Sequence, residues 1–297
     1  MYRFRVLSLL FALLSIFLID EVLSQFTWSR YYGTPQVNDE AFSCIQTADN
    51  NFLVSGYTGF SSGPTTLNKY SQTGELIWSR NYDNTWYMGV NAAEDPSGNL
   101  YYGHSRGLVK LDPQGNVLWM RMLPDTIYAS RLYFSEDRTK LFRYSGDKIS
   151  LSDTSANNLW TIRLNDTTSA NRNVYDLCQI GSFFYVAGTW SLIGSRYGFV
   201  SKYDMAGNLI WTVQTPQGRA LSTLAKNSDY SIIAAGGLDN LYCTMISQSG
   251  AIMWEKDYVQ DSLALANSIK RAANNRFVIA TAGYVDKSKC IVIDSSG

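Results

Sequence analysis

The sequence predicts an all-β chain folded as a six-bladed β-propeller of four-stranded antiparallel blades, with the ring closed by an N-terminal strand that completes the last blade. Three observations predict it. Tryptophans recur at Trp28, Trp78, Trp119, Trp160, Trp211 and Trp254, with gaps of 50, 41, 41, 51 and 43 residues. A period of 40–50 residues carrying several short strands is the signature of propeller blades. A five-residue refrain precedes most of them: GELIW at 74–78, GNVLW at 115–119, GNLIW at 207–211 and GAIMW at 250–254. Finally, β-branched and aromatic residues alternate with period two between turns bearing Gly, Asn and Asp, which excludes a helical reading.

The first residues read as a removable leader. Arg3 and Arg5 precede an apolar run of 14 residues from Val6 to Ile19, and small residues at Val22 and Ser24 suit cleavage before Gln25. That run is short for a membrane span. The expected organisation is therefore a signal peptide over 1–24 and a single propeller domain over 25–297, in a secreted chain.

Within each unit the expected order is strand, turn, strand, loop, strand, tight turn and a Trp-bearing strand. In the first unit AFSCIQT (41–47) alternates, ADNN (48–51) turns and FLVSG (52–56) returns, followed by TLNKYSQTGELIW (66–78). The second unit supplies DPSGNLYYG (95–103) and LVKLDPQGNVLW (108–119). The third is degenerate: LSDTSANNLW (151–160) has Ala156 where the other units have Gly, and KLFRYSG (140–146) is more polar. The fourth gives FFYVAG (183–188) and FVSKYDMAGNLIW (199–211). The sixth gives NNRFVIATAG (274–283) and CIVIDSSG (290–297), stopping at Gly297. The missing outer strand of the sixth unit is assigned to the segment beginning Gln25-Phe26-Thr27-Trp28. Asn, Asp and Gly recur at the corners because tight hairpins need positive φ angles.

These units resemble the secreted propeller repeats grouped with PQQ-like and SBBP-type repeats. The resemblance rests on residues 28–58 and on the recurring Gly-x-x-x-Trp. It implies that Trp28, Trp78, Trp119, Trp160, Trp211 and Trp254 pack between blades, where large flat indoles bury much surface. A quinone enzyme is not implied. Such enzymes carry an adjacent-cysteine disulfide and usually eight blades, whereas this sequence has no Cys-Cys pair and six units.

Composition narrows the function. Lys and Arg number 25, Asp and Glu 25, and the basic residues are scattered, which argues against nucleic acid and polybasic membrane contacts. His104 is the single histidine, so a triad or a histidine metal cluster would have to use it. No zinc spacing or phosphate-binding glycine loop occurs. Asp39, Glu40, Asp95, Asp125 and Asp261 lie near strand entrances and turns; a central channel could hold Ca2+ with such carboxylates, but no Asp-x-Asp-x-Asp spacing supports one, and no cofactor or metal site is predicted. Cys44 and Cys178 occupy matching places in the first and fourth units, Cys243 and Cys290 in the fifth and sixth. That spacing favours buried thiols, with Cys243–Cys290 the best candidate bridge. Asn165 opens a glycosylation sequon.

The units after Trp28 and Trp160 are the long ones, and their extra length is assigned to the loops at 57–66 and 189–198. Those loops share a face with the connections between blades. Trp86, Tyr128, Arg172, Trp190, Arg219 and Tyr284 are the ligand-binding candidates there, an aromatic and Arg-bearing set suited to a glycan or a protein partner. The expected function is binding of an extracellular protein or glycan without covalent chemistry. The alternative is a propeller hydrolase, lyase or degenerate quinoprotein acting through polar groups at the central channel.

Overall fold

The computed structural model describes residues 39–58, 64–82, 91–104, 107–123, 127, 131–164, 171–192, 194–238, 240–259, 265–282 and 289–297. They form six antiparallel sheets, the blades of a six-bladed β-propeller. Blade I holds β1 (Asp39–Gln46), β2 (Phe52–Thr58), β3 (Thr65–Tyr70) and β4 (Leu76–Tyr82). Blade II holds β5 (Ala92–Glu94), β6 (Leu100–His104), β7 (Gly107–Leu111) and β8 (Val117–Met122). Blade III holds β9 (Arg131–Phe134), β10 (Lys140–Ser145), β11 (Lys148–Asp153) and β12 (Asn158–Arg163). Blade IV holds β13 (Asn171–Ile180), β14 (Phe183–Leu192), β15 (Ser195–Asp204) and β16 (Leu209–Gln214). Blade V holds β17 (Leu221–Lys226), β18 (Ile232–Gly236), β19 (Leu241–Ile246) and β20 (Ile252–Tyr258), and blade VI holds β21 (Leu265–Arg271), β22 (Arg276–Ala282) and β23 (Lys289–Asp294). Blade VI has three strands among the described residues; the segment expected to supply its fourth, with Trp28, lies outside them.

The period-two alternation of each strand feeds two interfaces at once. In β14, Phe184 and Val186 face blade III and pack with Phe142, Tyr144 and Leu151. Tyr185 and Ala187 point the other way, onto Leu221, Leu224 and Ala234 of blade V. Similar clusters join blades I and II through Leu53, Leu67, Leu100 and Val109, blades II and III through Tyr101, Leu108, Leu132 and Leu141, and blades V and VI through Cys243, Met245, Phe277 and Ile279.

The refrain has a physical meaning that spans two blades. The Trp78 indole N–H donates to the Pro113 carbonyl, Trp160 to Met205, Trp211 to Gln248 and Trp254 to Ser295, at 2.8–3.3 Å. Pro113, Met205 and Gln248 sit in the turn before the outer strand of the following blade, and Ser295 in the turn after β23. Two residues on stands a glycine with φ near +85°: Gly115, Gly207, Gly250 or Gly297. A Cβ there would lie 3.1–3.3 Å from the indole of the preceding blade at Gly115, Gly250 and Gly297. Glycine is thus required twice over, for the left-handed backbone and for the ring seated on it. In blade III Ala156 takes this place with φ 64°, and the Thr154 carbonyl accepts from the Tyr101 hydroxyl.

The same turns are stapled by Asp and Asn. Asp112 accepts from the backbone N–H of Gln114 and Asn116, and from the Asn116 amide, at 2.8–2.9 Å. Asp153 with Asn157 and Asp204 with Asn208 repeat the arrangement. A bulge one residue before each outer-strand Trp breaks the alternation. Both apolar residues preceding Trp therefore face solvent, as at Leu76 and Ile77 or Leu209 and Ile210.

Candidate functional site

The end of the molecule that carries the second-to-third strand hairpins also carries the connections between blades, and backbone hydrogen bonds hold the two together. Leu164 N–H donates to Asp147, Thr215 to Gly198 and Gly218 to Arg196. Blade IV stands out on this face. The sequence places its extra length in a loop at 189–198, but β14 and β15 run paired out to Leu192 and Ser195, so the insertion is a raised hairpin. Thr189, Trp190, Tyr197 and Gly198 have strand-compatible side chains or fit a close backbone approach, and the ladder simply continues through them. A Cβ on Gly198 would strike the Leu221 side chain and the Thr215 hydroxyl, which explains glycine in mid-strand.

Of the ligand-binding candidates, Arg172 and Trp190 come together. They are cross-strand partners in β13 and β14, and the Arg172 guanidinium lies 4.6 Å from the centre of the Trp190 ring. Arg172 also reaches the Leu164 carbonyl at 3.5 Å. The Trp190 ring packs against the cluster between blades III and IV, and its buried Nε1 has no hydrogen-bond partner among the described residues. Arg219 lies one interface further round. Its Nη2 donates to Asp257 Oδ2 at 2.7 Å and its Nε lies 2.6 Å from Oδ1, an ion pair that ties the connection after blade IV to β20. Trp86, Tyr128, Tyr284 and the sequon residue Asn165 lie outside the described residues, as does the His104 side chain.

Between blades III and IV this face opens into a cleft of about 280 Å³. Arg131, Tyr144, Ser145, Gly146, Asn173, Val174 and Tyr175 line it. Arg131, at the start of β9, donates to the Tyr175 carbonyl and so bridges the two inner strands. Tyr175 is the extra residue of a bulge in β13 between Val174 and Asp176. The bulge turns Asp176 toward blade V, where it accepts from the Thr223 hydroxyl at 2.8 Å and from Leu224 N–H at 2.9 Å. Tyr144 donates to the other Asp176 oxygen at 3.4 Å, and burial holds its hydroxyl well above the usual phenol range. Sequence reasoning passed over Arg131, Asn173 and Tyr175. The signal lay in NRNVYD at 171–176, a polar run inside an inner strand that is otherwise apolar.

The cysteines depart from the sequence expectation in part. All four are free thiols, so Cys243 and Cys290 form no bridge. Cys178 and Cys243 are buried, while Cys44 and Cys290 are exposed. Among the described residues no three His, Cys, Asp or Glu side chains gather as a metal site. No described helix is long and apolar enough to cross a membrane.

No family model and no curated protein matches the sequence. Solved structures do match in shape. The WD40 β-propeller domain of Doa1 superposes with a TM-score of 0.59 at 12% identity, over 84% of this chain and 77% of that domain. A protein of unknown function from Bacteroides caccae does so with a TM-score of 0.54 at 13% identity, over 83% of this chain and 91% of the other. At such identities the likeness speaks for architecture alone, and with the six sheets it identifies this chain as a β-propeller.

Proposed function

We propose that this propeller is a secreted binding module that recognises an extracellular protein or glycan on the face bearing the blade IV hairpin. One observation carries the reading: the cleft between blades III and IV opens beside that raised hairpin, on the end of the molecule where the blades are joined. Propellers offer a rigid ring of inner strands with variable connections at one end, and rigid scaffolds with variable loops are where binding residues concentrate. The reading requires no covalent step and no cofactor. The leader over 1–24 supports export, and the sequon at Asn165 is compatible with it.

The test is a glycan array and a panel of purified extracellular proteins probed with the mature chain and with an Arg172→Ala/Trp190→Ala variant. A ligand retained by the mature chain and lost by a folded variant supports the assignment to this face. Equal retention by the variant would place the ligand elsewhere.

A further inference from the structure

The cleft has a chemical character that narrows its ligand, granted the face-binding reading above. Arg131 spends one N–H on the Tyr175 carbonyl, and a guanidinium has five to give. Among the described residues no carboxylate forms an ion pair with it. Asp176, the next residue after Tyr175 in β13, is turned toward blade V and committed to Thr223, Leu224, Leu177 and Tyr144. Ser145, Asn173 and Tyr175 also line the cleft, and their side chains make no hydrogen bond among the described residues. Gly146 keeps the floor open: a Cβ there would have nothing nearer than Asn173 Oδ1, at 4.0 Å.

We propose that this cleft is an anchor site for a carboxylate, received by Arg131 and flanked by Ser145, Asn173 and Tyr175. A single guanidinium with neutral donors around it matches a monoanion whose two oxygens lie in one plane. The volume of about 280 Å³ suits one sugar ring or one side chain rather than an extended chain. The carboxylate is that of an acidic sugar, whose ring the volume admits and whose hydroxyls the neighbouring polar residues can meet; an acidic protein side chain is the outcome that tighter binding of the aspartyl probe would report.

The experiment titrates the mature wild-type protein with four probes: glucuronate, glucose, N-acetyl-aspartyl amide and N-acetyl-asparaginyl amide. It follows the Arg131 Nε–H signal and the Tyr175 ring by NMR. Shifts with one or both carboxylates, and not with their neutral counterparts, are expected, and the probe that binds more tightly identifies the source. Arg131→Gln should weaken binding roughly tenfold or more, as loss of a charge-assisted hydrogen bond does, with Arg131→Lys recovering part. Asn173→Ala gives an independent reading should Arg131→Gln fail to fold. Equal shifts with neutral probes, or none with any probe, would overturn the proposal. Loss of a natural ligand in the Arg172→Ala/Trp190→Ala variant but not in Arg131→Gln would sink the cleft and leave the face-binding reading intact.

Discussion

The arc from blade III to blade V and the seam between blades VI and I are made of the same repeat, yet they are built to different degrees among the described residues. In the arc, Cys178 on the inner strand of blade IV is buried; its counterpart Cys44 on the inner strand of blade I is exposed. Cys243 on the third strand of blade V is fully buried; its counterpart Cys290 in blade VI is exposed. Strand β19 is buried along its whole length, whereas β23 shows Val292 at 56% exposure. No described strand pairs with the outer edge of β23. The lesson is that burial in this fold belongs to the neighbour and not to the residue. Among the described residues the same repeat position is enclosed where a neighbouring blade packs on it, as at Cys243, and open where no described strand does, as at Cys290.

The largest expected effect concerns the indoles. Trp160 stacks on Phe184 with ring centres 5.7 Å apart and holds the Met205 carbonyl. Trp160→Ala should therefore cost about 3–5 kcal/mol in chemical denaturation. Trp28→Ala sharpens the comparison. If residues 25–33 supply the outer strand of blade VI, its cost should approach that of Trp160→Ala; a change within about 0.5 kcal/mol, typical of an uninvolved surface site, would break that expectation.

A smaller effect is expected at the turn glycines. Gly250→Ala forces an alanine into φ 91° with the Trp211 ring 3.1 Å from its Cβ, and should destabilise by about 2 kcal/mol. Ala156→Gly is the reverse experiment. Relief of left-handed strain outweighs the loss of one buried methyl, and a gain of about 0.5 kcal/mol is expected in the same assay.

The gentlest probe is thiol labelling of the native protein. Burial pushes the Cys243 thiol up to about 12 and Cys178 higher still, so neither presents a thiolate near neutral pH. Burial also raises the Cys44 thiol, though its side chain is exposed, so mass spectrometry after alkylation should find Cys290 modified first, Cys44 more slowly, and Cys178 and Cys243 only after unfolding. Labelling of all four at one rate would erase the distinction between arc and seam.

Much of this architecture is legible in the residues. The Asp-x-x-Gly-Asn turns, the alternating strands and the Trp spacing are local features, each readable within a dozen positions. What is not legible is pairing across blades. The refrain reads as a Gly and a Trp of one hairpin, but Gly115, Gly207, Gly250 and Gly297 each serve the Trp of the blade before, some 40 residues upstream. The cleft was missed for a related reason. Arg131 and Tyr175 meet only because blades III and IV stand side by side, and the bulge at Tyr175 shifts the alternation that a period-two reading relies on. The raised hairpin of blade IV was visible as extra length, but its strand character rests on a ladder that composition alone does not reveal.

The Trp-on-Gly contact joins blades I to II, III to IV, IV to V and V to VI, so that blades IV and V are each both plug and socket. Such a contact is head-to-tail: it joins unlike surfaces, and repetition either closes into a ring or runs on into a filament. A piece of this chain holding blades IV and V alone bears an unsatisfied plug at one end and an unsatisfied socket at the other. Copying one repeat unit adds both halves together, so rings of different blade number can arise without inventing a new interface, and cut rings have a ready-made way to find one another.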